Sequence, residues 1–140
     1  MRALMVALAI VGVAGAASAG VGTTISGEDV RQTLTPTVPA GARKQAEEAI
    51  KLDLREQTGV AFRAERAVEV ASLRHGPFTP VIEGPISVVC GQYSSPELNG
   101  GYAWFFVAIK RSRVLWTASD APPSATTEAH DSCQAVGAAD

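Results

Sequence analysis

Histidine and cysteine, the side chains most often recruited for metal binding and nucleophilic chemistry, occur only twice each in the 140 residues. His75 and His130 lie far apart in the chain. Neither they nor Cys90 and Cys133 show a ligand spacing typical of zinc. Gly-x-Ser-x-Gly, His-Glu-x-x-His, a phosphate loop and a dinucleotide fingerprint are all missing. No enzyme class therefore has a positive signal, and no cofactor or metal is expected. Basic charge is also in short supply: 12 Lys+Arg face 14 Asp+Glu, for a net charge of −2. A domain built to neutralise nucleic-acid phosphates should be clearly basic, so nucleic acid is not an expected partner. No long apolar run follows the first 20 residues, so no membrane span is expected beyond them.

The N-terminal stretch is the exception. "MRALMVALAIVGVAGAASAG" carries one charge, Arg2, followed by an uncharged run shorter than the ~20 residues of a spanning helix. Ala17-Ser18-Ala19 supplies the small residues that a signal peptidase reads. Residues 1–19 are expected to be a signal peptide cleaved after Ala19, giving a periplasmic or secreted protein that starts at Gly20. An uncleaved anchor is the competing reading. In an exported chain two cysteines most simply form one disulfide. Closing the loop between Cys90 and Cys133 would contribute about 4 kcal/mol through loop entropy. Two free thiols is the alternative, favoured only if the chain stays in a reducing compartment.

Residues 20–39 have little apolar periodicity and two prolines near their end, and read as a flexible arm. Residues 40–140 read as a single α+β domain. Ala42, Ala46, Ala49, Ile50 and Leu54 share one helical face, which predicts a helix from about Ala40 to Gln57. Glu47 stands four before Lys51, a favourable helix pair, and Gly59 offers a natural stop. "VAFRAERAVEVASLR" then alternates, with Phe62, Ala64, Val68 and Val70 on one face and Arg66 marking a bulge or an edge. "HGPFTPVIEGP" has turn chemistry, and "ISVVCGQY", "YAWFFVAIK" and "RVLWTAS" read as three further strands. Short connections predict a four-stranded antiparallel meander covered by one amphipathic helix. The tail is expected to form a short helix from about Ser124 to Gln134, capped by Ser124. A Cys90–Cys133 bond would tie that tail to the sheet.

Along "YAWFFV", Tyr102, Trp104 and Phe106 alternate with Ala103, Phe105 and Val107, and one helix covers only one of these rows; either the tail covers the other, or it stays exposed as a partner site. The first row, together with Lys110, Arg111 and Arg113 of the adjacent "KRSR" turn, is the candidate binding surface. Basic and aromatic residues together also suit nucleic acid or anionic lipid. A charged hairpin turn, which discourages edge pairing, is the reading adopted.

Leu54, Phe62-Arg63, Val89-Cys90-Gly91 and Gly100-Gly101-Tyr102, spread over about Ala42 to Ile109, resemble a family of small exported proteins of Gram-negative bacteria. "EQTGV" and "QYSSPELN" depart from that family's pattern. The resemblance implies a helix-plus-antiparallel-sheet domain with Cys90 as a structural residue, and it implies no activity. The expected function is a non-catalytic binding or accessory domain of the cell envelope, whose partner is an envelope protein or the cell wall. One alternative is an inhibitor of an exported hydrolase that presents the Ser94–Asn99 loop. Another is a thiol-dependent envelope enzyme using Cys133 and His130.

Overall fold

The alternating segments fold into one antiparallel meander. A computed structural model of the protein describes residues 24–55, 58–120 and 127–140. The expected signal peptide and the expected Ser124 cap lie outside the described residues. Strands β1 (Val30–Gln32), β2 (Ala61–Leu73), β3 (Ile82–Ser94), β4 (Ala103–Lys110) and β5 (Arg113–Ser119) lie side by side in chain order. Every neighbouring pair is antiparallel. Helix α1 (Ala42–Leu54) packs on one face and helix α2 (Glu128–Ala135) on the other. The domain is thus α+β as expected, but among the described residues it has five strands in place of four, and the sheet is covered by two helices in place of one, the second being the expected tail helix.

The extra strand comes from the segment expected to be a flexible arm. Three residues, Val-Arg-Gln, carry no readable alternation, so tertiary contacts hold them in place. Ile25 is 1% exposed, and its N–H donates to Ser132 Oγ at 3.0 Å. The Asp29 carboxylate sits 2.6 Å from the Arg74 guanidinium, and the Arg74 amide donates to the Asp29 carbonyl. Burial works to raise the Asp29 pKa, but the Ser26 amide and Arg74 outweigh it and hold the carboxyl below its ordinary range.

Helix α1 buries Ala42, Ala46 and Ile50, the stripe that the spacing predicts. Alanines let the helix approach the sheet closely, and burying Ile50 contributes about 1.5–3 kcal/mol. The helix ends at Leu54, before the glycine expected to stop it. Arg55 takes the left-handed conformation (φ 59°) and donates its N–H to the Lys51 and Leu52 carbonyls. The expected Glu47–Lys51 pair does not form; Lys51 lies 3.9 Å from Glu48, and Glu47 faces Glu65 on β2.

A bulge between Arg63 and Arg66, with Ala64 at φ 55°, adds one residue to β2 and changes which side chains share a face. Phe62 and Ala67 therefore pack towards α1, and Val68 and Val70 towards α2. The single row predicted from Phe62 to Val70 is split by that inserted residue. Opposite the bulge, Gly91 leaves room for its neighbours. A Cβ there would lie 3.0 Å from the Phe105 ring and 3.1 Å from the Arg63 carbonyl. Strand β3 starts at Ile82, within the stretch expected to be turn, and runs through a cis Gly84-Pro85 peptide. Cys90 and Cys133 form the expected disulfide, with a Cα separation of 5.9 Å, and it ties α2 to the sheet.

Candidate functional site

The predicted contact row on β4 is interior for most of its length. Phe106 is 1% exposed beneath α2, and Trp104 is half-buried with its ring stacked on His130 at 4.7 Å. Tyr102, just before β4, is 37% exposed and lies under the Arg63 guanidinium, 3.6 Å from its ring centre. Lys110, Arg111 and Arg113 sit at the opposite end of the strand. The Lys110 ammonium donates to the Glu83 carbonyl, and Lys110 pairs with Arg113 across the hairpin. The six residues therefore do not form one surface. The second helix, which the sequence reading treated as a short tail element, covers the middle of the row.

A different constellation emerges on the α1 face. Glu69 on β2 is paired with Ser87 on β3, and Ser87 with Ile109 on β4. These three form one rung across the sheet. The neighbouring rung, Ala67, Val89 and Val107, is apolar and packs in the cluster beneath α1. The Glu69 rung lies at the N-terminal end of α1, where the helix stops covering the sheet, and it floors a cleft of about 300 Å³. Pro39 to Ala42 and Pro85 form walls, and Arg111 and Ser112 form the rim. Gln45 donates to the Ser112 carbonyl and joins the helix to the β4–β5 turn.

Polar groups converge on this cleft from a largely buried position. Ser87 is 7% exposed and Glu69 9% exposed. Thr37 donates its N–H to Glu69 Oε1 at 3.0 Å, and Glu69 lines the cleft. Ser87 lines the cleft beside Glu69. Helix α1 begins at Gly41 without a side-chain cap and has no acidic residue in its first turn. Early amides of a helix lack intrahelical acceptors, so this end is an electropositive boundary of the cleft. Arg111 (φ 53°) and Ser112 (φ 64°) form the two-residue turn in a backbone conformation that usually calls for Asn-Gly. Holding non-glycine residues there costs of order 1–3 kcal/mol each, and such strain clusters at binding sites.

Two further electrostatic features frame the fold. Glu65, on the bulge, is raised to about 7 by burial, then by the facing Glu47 carboxylate, with Arg43 acting the other way. On the opposite face, Asp120 accepts the Ala129 and His130 amides at the start of α2, while its own carbonyl accepts the Tyr93 hydroxyl. Burial raises the Asp120 pKa against the pull of those two amides. Both cysteine sulfurs are in the bridge, and the Ser94–Asn99 loop forms a single compact 3-10 turn at Pro96–Leu98. Among the described residues, no group of three His, Cys, Asp or Glu side chains could hold a metal ion. No described helix is long and apolar enough to cross a membrane.

Sequence reasoning missed Glu69 and Ser87. Each is a polar residue inside an apolar run, Val-Glu-Val and Ile-Ser-Val. In strands buried on both faces, such an interruption is the available signal. No family model matches the chain, and no curated protein or solved structure matches it either.

Proposed function

We propose that this protein is a non-catalytic binding domain of the bacterial cell envelope, exported by its N-terminal segment and holding a small polar ligand in the cleft beside α1. The observation that carries this reading is the Glu69–Ser87 pair, each more than nine-tenths buried yet facing a cleft. Burying a carboxylate and a hydroxyl without full pairing opposes folding. Apolar residues would continue the adjacent rung at no such cost. Export to the periplasm or beyond, signal cleavage after Ala19 and kinship with small exported Gram-negative proteins are parts of the same proposal. The signal-like N-terminus and the buried disulfide support them. The non-catalytic reading draws support from the thiols, which are committed to the bridge, and from His130, which is stacked on Trp104.

Two measurements test this. Intact mass of the protein from its native host should begin at Gly20, with two alkylatable thiols appearing only after reduction. A full-length mass with both thiols already alkylated would refute export. For the cleft, amide NMR spectra should be recorded against a library of small anions, cations, sugars and zwitterions. Shifts confined to the neighbourhood of Glu69, Ser87 and Arg111 are expected for some members. Uniform silence across the library would refute the ligand-binding reading.

A further inference from the structure

We infer that the ligand of this cleft is a small zwitterion, a free α-amino acid or a dipeptide, held by its ammonium and carboxylate groups. The inference rests on the cleft being a ligand site, and it specifies the chemistry of what enters.

The cleft presents both signs of charge. At its floor, Glu69 accepts the Thr37 amide on one carboxylate oxygen, and Ser87 is its partner across the strands. An ammonium has three donors and no acceptor, so a carboxylate oxygen and a hydroxyl on one rung are suitable partners. At the mouth stands Arg111, exposed and held in place by the strained β4–β5 turn. Beside it lies the uncapped start of α1, whose first-turn side chains include Arg43 and Lys44 and no acid. A carboxylate suits that end, since helix N-termini favour anions and a guanidinium can bind both oxygens. Between the two poles the lining includes Ile109 and Pro85, with Gln45 alongside, its amide engaged with the Ser112 carbonyl.

Simple ions fit this arrangement poorly. An anion alone would face the Glu69 carboxylate, and a cation alone would leave Arg111 and the positive helix end opposed. Neutral sugars would use the hydroxyl and the carboxylate but neither cationic feature. A cleft of about 300 Å³ lies at the small end of ligand sites, which suits an amino acid or a dipeptide and not a longer chain.

The test uses the whole exported chain, with backbone amide NMR and calorimetric titration. The probes are alanine, alanyl-alanine, N-acetylalanine and alaninamide. Alanine or alanyl-alanine should shift the amides around Glu69, Ser87 and Arg111. Blocking either end of the probe should weaken binding by about tenfold or more, the scale of a lost charged hydrogen bond. Glu69→Gln keeps an acceptor for Thr37 and should abolish discrimination against N-acetylalanine. Arg111→Gln, on an exposed turn, should abolish discrimination against alaninamide. Unchanged melting of both variants would show that the effects are local. Equal binding of blocked and free probes would overturn the zwitterion inference and leave the cleft as a ligand site of other chemistry. If these probes fail while other library members shift the cleft amides, the inference falls alone. If nothing shifts them, the cleft reading falls with it.

Discussion

Replacing Glu65 by glutamine should make the protein more stable at neutral and alkaline pH and leave it unchanged only at about pH 4 and below. Glu65 sits on the β2 bulge, where burial and the facing Glu47 carboxylate raise its pKa from 4.5 to about 7. In the unfolded chain the group ionises near its ordinary value. In the folded protein it stays protonated until about pH 7. Its contribution is therefore fully present below about pH 4.5 and is lost as pH rises through about 7. The displacement corresponds to at most about 3 kcal/mol. Glu65 keeps partial contact with water, and screening reduces the expected effect to about 1–2 kcal/mol. Glutamine is neutral throughout and nearly isosteric, so the variant should match the parent at about pH 4 and exceed it by that amount at pH 8. Urea unfolding followed by tryptophan fluorescence, at intervals from about pH 4 to 8, measures the difference directly. Glu47→Gln should move the midpoint of the effect towards lower pH, since it removes the opposing carboxylate. A Glu65→Gln difference that stays constant over the whole range would refute the protonation account.

Asp29→Asn should cost about 2–3 kcal/mol by leaving Arg74 without its buried carboxylate, and hydrogen exchange should quicken around Ile25 to Gln32. The parent's share from this pair should persist at neutral pH and fade as pH drops through the depressed Asp29 pKa. Asp120→Ala removes the acceptor for two amides at the start of α2. A loss of about 1–2 kcal/mol is expected, with faster exchange confined to residues 129–136. Gly91→Ala forces a methyl against the Phe105 ring and the β2 backbone. Thermal melting should show a loss of about 1–3 kcal/mol, and full stability would contradict the close approach described.

Much of the architecture was legible because it rested on local chemistry. The Ala42–Ala46–Ile50 stripe named its helix face without help from the rest of the chain. Two cysteines in a chain with a signal-like start pointed to one bridge. What escaped the sequence depends on partners distant in the chain. Strand β1 has only three residues and owes its place to Ile25 under α2 and Asp29 on Arg74. The face assignment of β2 failed at Ala64, since one inserted residue exchanges inside for outside along a strand. The aromatic row on β4 looked available because spacing alone does not say whether the tail folds back over it. In fact α2 turns Ala129, Cys133 and Val136 onto it, with Asp120 supplying a cap from outside the helix. The cleft was illegible for the same reason: Glu69, Ser87 and Ile109 meet only through strand register.

Ile25 lies under α2, whereas the cleft opens on the α1 face. Ile25 is thus held on the face of the sheet away from the cleft. Tethered from that face to a bead, a carrier protein or a sensor chip, the molecule would present its cleft outward. Coupling through Lys44 or Arg43, which border the start of α1, would turn the cleft towards the support. If the cleft holds a ligand as proposed, immobilisation geometry should therefore decide whether a captured sample of this protein can take it up.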